Sequence, residues 1–390
     1  MGSDGPLRGM RVVELATFIA GPFAGQLLAD MGADVVKVEQ PGQGDPFRNF
    51  AGGLYGPHFV AYNRNKRSIA VDTRPDAGKQ IVRRLLERAD VFLENFRPGV
   101  MARMGLDYHT VREWNPRLIY CSVTGFGQSG PYRDRPSYDG VGQGLSGLTA
   151  QLVDPDRPRI VGPAFSDCIT GMTAANAILA AWVARERTRK GQHVDVSMLA
   201  ATAGFLASEV SMFFQTGDRG DARTRARLSH SFAFRCGDGK LISVHCSAPV
   251  KFFEALLRAV GRVDLLEEAD FATRTARIAH FDELEDVLGT EFAKRPRAEW
   301  AAIMEERDVP YASVYTLDEV FADPQVQHLG LELRQTHPTQ GKLGTIAPAA
   351  RFSDTPWQNL QPPPTVGEHT DEILEELGLA HLREVAGGIE

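Results

Sequence analysis

With 390 residues and a net charge of −7, the chain is too long for one small domain and large enough to bury a sizeable core. Its apolar and charged fractions are those of an ordinary globular protein, and its charge is spread without a long basic block, which argues against a nucleic-acid partner. The most apolar stretch, Met198 to Phe214, is interrupted by Glu209, which argues against a membrane span.

The first hundred or so residues alternate β-rich runs with helical patterns. Met10 to Leu15 reads as a strand and Gly21 to Met31 as a helix closed by Gly32-Ala33. Asp34 to Val38, Ser68 to Val71, Asp90 to Leu93 and Leu118 to Val123 repeat the strand pattern. Between them, Pro75 to Arg88 supplies a helix with Pro near its start, where the missing N–H costs little. Strands alternating with helices predict an α/β fold with a parallel sheet covered on both faces. Asp167 to Arg187 is a long Ala-rich helix, with Ile169, Met172, Ala175, Ile178, Leu179, Trp182 and Val183 at helical spacing. After Gly191 a strand returns over His193 to Met198.

A smaller α+β domain is expected from about Ser229. Phe232 to Cys236, the turn Gly237-Asp238-Gly239 and Leu241 to Cys246 form a β-hairpin signal. Amphipathic helices follow at Val250 to Val260, Phe281 to Phe292 and Arg297 to Arg307. The text then becomes proline-rich and irregular, closing with a helix at Thr370 to Leu377. The expected division is a large domain over 1–228, a small domain over 229–312, and a segment over 313–390 that returns to the large domain.

Cys121, Cys168, Cys236 and Cys246 show no CxxC spacing, and His245 beside Cys246 is not a metal signature. Scattered thiols of this kind fit a cytoplasmic protein with no metal site. No signal peptide is visible, and Met1-Gly2-Ser3-Asp4-Gly5-Pro6 lacks the hydroxyl residue of a myristoylation motif. The phosphate loop GxxxxGK[ST], the elbow GxSxG and HExxH are all absent, and no GxGxxG follows the first strand. Pro41-Gly42-Gln43-Gly44-Asp45 reads more readily as a turn than as a phosphate cradle.

Two segments can carry chemistry. Asn95-Phe96-Arg97-Pro98-Gly99 follows a strand directly, and ligands collect at the carboxyl ends of parallel strands. There Arg97 and Arg103 can meet phosphates and Phe96 can pack beside a flat base; a plain strand-to-helix turn fits the spacing equally. Gly162-Pro163-Ala164-Phe165-Ser166-Asp167 leads into the long helix. Asp167 is an ordinary N-cap on one reading. On the other it is a nucleophile, its anion favoured by the helix N-terminus by roughly 0.3–1 kcal/mol and its pKa lowered.

The chain resembles the class III CoA-transferases, the family that includes formyl-CoA transferase and the carnitine CoA-transferases and shares its fold with α-methylacyl-CoA racemases. The resemblance rests on Leu7-Arg8-Gly9-Met10-Arg11-Val12-Val13-Glu14-Leu15, Ala20-Gly21-Pro22 and Gly32-Ala33-Asp34-Val35-Val36-Lys37-Val38-Glu39. It continues with Asn63-Arg64-Asn65-Lys66-Arg67-Ser68, Glu94 to Gly99, Gly125-Phe126-Gly127, and Gly191-Gln192 with Asp195-Val196-Ser197-Met198. It implies a Rossmann-like large domain, a smaller domain, and an interlocked homodimer. It also implies Asp167 as the nucleophile of an acyl-CoA:carboxylate CoA-transferase that works through an aspartyl anhydride and an aspartyl-CoA thioester. CoA contacts carry over to Ala20, Gly21, Asn95, Phe96, Arg103, Tyr138 and Met198, with Arg97 beside them. CoA is then a substrate, with no metal, redox or tightly bound cofactor, and the partners are an acyl-CoA and a carboxylic acid.

Two departures bear on substrate and reaction. Racemases place a His before an Asp where this chain has Ser137-Tyr138-Asp139; a phenol, with an ordinary pKa near ~10, is a poor α-proton shuttle. The glycine run of formyl-CoA transferase corresponds to Cys246-Ser247-Ala248-Pro249, which argues against a glycine lid and against oxalate or formate. A racemase-type isomerase and a CoA-binding member without catalysis stand as the alternative readings.

Overall fold

The computed structural model describes residues 5–247, 250–357 and 359–384. The chain forms two compact units. The first comprises Met1–Thr149, Ile160–Ser211 and Gly330–Glu390, and the second Ala150–Arg159 and Met212–Leu329.

In the first unit, β1 (Arg11–Leu15), β2 (Asp34–Glu39), β3 (Lys66–Ala70), β4 (Val91–Glu94), β5 (Ile119–Thr124) and β6 (His193–Ser197) form one sheet in the order β3-β2-β1-β4-β5-β6. Every pairing is parallel. Near-continuous apolar strands such as Val91-Phe92-Leu93 are what a sheet covered on both faces requires. On one face, Val13, Val36, Phe92 and Tyr120 pack with Ile81, Val82, Leu85 and Leu86 of the helix Asp76–Arg88. On the other, Val12, Val35, Leu93 and Cys121 pack with Ala24 and Leu28 of the helix Ala20–Asp30 and with Ala174, Ala175 and Ile178 of the long helix Phe165–Thr188.

That long helix is the one described helix long and apolar enough to cross a membrane by length and composition. Its small-residue stripe lies against the sheet and the helix Ala20–Asp30. A Cβ at Gly171 would sit 2.8 Å from the carbonyl oxygen of Ala20, so only glycine lets the long helix approach the start of its neighbour this closely.

In the second unit, β7 (Ser231–Arg235), β8 (Leu241–His245) and β9 (Tyr311–Val314) form an antiparallel sheet. The helices Val250–Val260, Phe281–Phe292 and Arg297–Glu306 cover it through Phe232, Phe234, Phe253, Phe281, Phe292 and Trp300. This compact unit extends beyond the expected 229–312. Arg223 pairs with Glu285 and Asp282, and Arg297 with Glu319, which tie segments on both sides into it.

The segment after Gly330 contains a hairpin, β10 (Glu332–His337) and β11 (Gly341–Ile346), where the sequence reads as irregular. The closing helix Thr370–Leu377 packs within the first unit. Ile373, Leu374 and Leu377 join the core around Val13 and Val36, and Thr370 Oγ1 accepts the N–H of Ala70 at 3.1 Å. Met1 to Asp4 and the Ala248-Pro249 half of the expected lid position lie outside the described residues.

Candidate active site

The strand order reverses between β1 and β4, and the carboxyl ends of these two strands open the crevice where parallel sheets take ligands. Asn95, directly after β4, spans it. Its Oδ1 accepts the N–H of Thr17 at 2.9 Å, and its Nδ2 donates to the Thr17 carbonyl at 2.8 Å. Ala20 and Gly21 open the helix after β1 and are buried there. A Cβ on Gly21 would lie 2.5 Å from that of Ala16 and 3.3 Å from Asn95 Cγ, so glycine is required for this junction.

A buried charge network holds the β1 loop from below. Lys37 Nζ donates to the Ala16 carbonyl at 2.7 Å and pairs with Glu14 and Asp45, each at 2.9 Å, all three side chains being fully buried. Burial alone would discharge Lys37; the facing carboxylates of Asp45 and Glu14 reverse that and raise its pKa. Asp45 Oδ1 accepts the N–H of Phe18 at 3.1 Å, and Phe18 has a left-handed backbone (φ +64°), a strained conformation for an aromatic residue. Consecutive residues 16, 17 and 18 are thus each fixed through the backbone. Pro41 to Asp45 is a turn, as read, and its last residue serves this network.

Phe96 is half-buried and packs against the core beneath it, so its ring anchors the turn. Arg97 is exposed at the tip. A Cβ at Gly99 (φ +85°) would lie 3.5 Å from Arg103 Nη1 and 3.8 Å from Arg133 Nη2, so two guanidinium groups reach the same turn. Arg133 was not singled out in the sequence. The pair Arg133 and Arg135 in the loop after β5 was its available signal. Neither Arg97 nor Arg103 has an acidic partner among the described residues.

Tyr138 is exposed, and its ring meets that of Phe18 edge-on at 5.8 Å. It precedes the helix Asp139–Ser146. Met198 is buried, with its sulfur 3.8 Å from Ser137 Oγ and against Gly142, where a Cβ would come within 2.5 Å of it.

Asp167 lies at the head of the long helix, but as its third residue, because the helix starts at Phe165 after an Ala164 N-cap. It is therefore not the N-cap. Its N–H donates to Asp139 Oδ1 at 3.2 Å, and Gln143 Nε2 donates to Asp139 Oδ2 at 2.6 Å. Asp139 is the site residue that sequence reasoning passed over; it was quoted only as the neighbour of Tyr138. The Asp167 pKa is raised to about 7, first by burial and then by the Asp139 charge. This overturns the expected lowering. A rise from 3.8 to about 7 is worth roughly 4 kcal/mol, which exceeds the roughly 0.3–1 kcal/mol a helix terminus offers. Beside it, Tyr62 Oη lies 3.8 Å from Cys168 Sγ, and burial raises the Cys168 thiol. Cys168 is thus a poor thiolate.

The structure therefore brings Ala20, Gly21 and Asn95 together at the β1–β4 crevice and gathers Tyr138, Asp167 and Met198 around the helix Asp139–Ser146. Arg97 stands on the turn after Asn95, and Arg103 on the short helix Val100–Arg103 that follows it. Among the described residues, no group of three or more His, Cys, Asp or Glu has the arrangement to hold a metal ion. The model of CoA-transferase family III matches residues 7–370. This chain belongs to CoA-transferase family III. The family III enzyme is 38% identical to a succinate–glutarate CoA-transferase of Agrobacterium fabrum, over 95% of this chain and 96% of that one. It is 34% identical to the human succinyl-CoA:glutarate CoA-transferase, over 97% and 87% of the two chains. A CAIB/BAIF family protein from Brucella suis has the same fold, with a TM-score of 0.84 at 35% identity, covering 96% of this transferase and all of that chain. As a family III CoA-transferase, the protein acts on CoA thioesters and carboxylic acids.

Proposed function

We propose that the enzyme exchanges CoA between carboxylic acids through covalent intermediates on Asp167. Asp167 attacks the donor thioester carbonyl, the C–S bond breaks, and CoA leaves as thiolate from a mixed anhydride. The thiolate then attacks the aspartyl carbonyl and expels the donor acid, leaving an aspartyl-CoA thioester. The acceptor carboxylate attacks that thioester, forming a second mixed anhydride and releasing thiolate again. Attack of the thiolate on the acceptor acyl group delivers the new acyl-CoA and restores Asp167. Each exchange passes between activated acyl species, so none is strongly uphill.

The observation that supports this reading is the environment of Asp167. A carboxylate whose pKa is raised to about 7 is a stronger nucleophile than an ordinary one, yet it remains ionised in a useful fraction at neutral pH. Ala20, Gly21, Asn95, Phe96, Tyr138 and Met198 are assigned to the wall along which CoA lies, with Arg97 and Arg103 toward its phosphates. CoA enters as a substrate, with no further cofactor. The named activities of the Agrobacterium and human relatives make succinyl-CoA and glutarate the first donor and acceptor to test. A homodimer belongs to the same proposal; exposed Met172, Val183 and Phe205 supply apolar surface on the first unit for a second copy.

The test is incubation with succinyl-CoA alone, trapping with hydroxylamine or borohydride, and peptide mass spectrometry. Modification at Asp167 supports the route, and modification elsewhere or nowhere rejects it. Transfer to glutarate without α-hydrogen exchange in deuterated water separates a transferase from an isomerase.

A further inference from the structure

At the carboxyl end of the sheet, Glu94 of β4, Ser122 of β5 and Asp195 of β6 stand side by side in register. Glu94 and Ser122 are buried. Glu94 Oε2 accepts the N–H of Phe96 at 2.9 Å, and the Ser122 hydroxyl beside it favours the Glu94 anion. Asp195 Oδ2 accepts the N–H of Gln128 at 3.2 Å. Two neighbouring turns, one after β4 and one after β5, are thus each held by a carboxylate of the sheet. Behind them, His193 Nε2 lies 3.0 Å from Ser122 Oγ, and its ring stacks on Tyr108 at 5.1 Å between centroids.

We propose that Glu94, relayed through Ser122 to His193, is a positioning residue that holds the Asn95–Gly99 turn in the shape that receives CoA. This rests on the reading that CoA lies on that turn. Glu94 does not touch the substrate. It acts through the Phe96 amide, and a backbone N–H bond to a carboxylate is stronger than one to a neutral carboxyl group. The charged or titratable groups acting on Glu94 and the relay are Asp195 and His193 from β6, Tyr120 and Cys121 from β5, and His109 on the helix Tyr108–Trp114 behind His193. Among the described residues no facing cation holds Glu94 ionised, and burial raises its pKa to about 7. The turn is therefore held more firmly above neutral pH than below it.

The experiment is equilibrium binding of CoA to the full-length protein at pH 6 and pH 8, for wild type, Glu94→Gln, Glu94→Ala, Ser122→Ala and Arg103→Ala. Wild type tightens by about fivefold more than Glu94→Gln does between the two pH values, because the amide mimics only the protonated acid. Differences in CoA phosphate ionisation cancel in that ratio. Glu94→Ala binds weakly at both pH values and raises KM more than it lowers kcat. Glu94→Gln restores wild-type affinity at pH 6. Ser122→Ala moves the wild-type transition to higher pH by removing a donor to the carboxylate. Identical pH dependence in wild type and Glu94→Gln, or wild-type affinity in Glu94→Ala, overturns the proposal. Unchanged affinity in Arg103→Ala shows instead that CoA does not lie on this turn.

Discussion

The carboxylate of Asp139 accepts the backbone N–H of Asp167, which places a second negative charge beside the proposed nucleophile. Gln143 holds the other oxygen of Asp139, so the pair is fixed from both sides. The arrangement raises the energy of the Asp167 anion before any substrate arrives. Part of that energy is released when the anion is converted to a neutral acyl derivative.

Under the proposed route, transfer activity is expected to depend on the Asp167 ionisation. With the Asp167 pKa near 7, kcat/KM for the acyl-CoA rises with pH through neutrality and levels off above it. In Asp139→Asn the amide oxygen still accepts the Asp167 N–H but carries no charge, so the acid limb moves to lower pH. Initial rates from pH 5.5 to 8.5 read this directly, and a limb that stays in place shows that Asp139 does not set it.

Asp167→Asn abolishes transfer, but it also stabilises the fold at alkaline pH. A raised folded-state pKa contributes stability that is present below the unfolded value near 3.8 and is lost as pH rises through about 7. At pH 8 the buried charge costs up to ~4 kcal/mol, and the partial solvent exposure of Asp167 reduces this to about 2 kcal/mol. Urea unfolding of Asp167→Asn and wild type at pH 8 and pH 5 is expected to show a gap that narrows in acid.

Arg103→Ala is expected to raise KM for acyl-CoA about tenfold, in the range of a charge-assisted hydrogen bond, with kcat little changed. A phosphate contact is shared by the ground and transition states, so its loss is a uniform-binding effect. Steady-state kinetics check it; a loss confined to kcat contradicts the role.

Lys37→Met leaves Asp45 and Glu14 facing each other without their shared cation, although Lys66 still pairs with Glu14 at 2.8 Å. Breaking a buried pair from one side costs about 3–5 kcal/mol. Urea unfolding is expected to show a lower midpoint at unchanged m. Residual folded protein loses CoA affinity, because the Ala16 and Phe18 anchors depend on this cation.

The alternating strands and helices of the first 200 residues are legible because a doubly covered sheet demands apolar runs; the period of the long helix reports Ile169, Ala175 and Ile178 as buried but fails for Met172 and Val183, which are exposed. The β7–β8 hairpin is legible from its glycine turn. β10 and β11 were not, since short exposed strands carry little apolar patterning; Glu332 to His337 alternates weakly and lies amid prolines. Local sequence also placed Asp167 at a helix head and Asn95 after a strand.

The amino-acid order by itself determined which segments become strands and helices and which residues stand at their ends, since those depend on near neighbours. Only the tertiary structure decided that Asn95 grips Thr17, 78 positions away, and that Asp139, 28 positions from Asp167, bears on its charge. Burial and Coulomb interaction depend on distance in space, which no local pattern encodes. The direction of the Asp167 shift was settled there, against the weaker pull of the helix terminus.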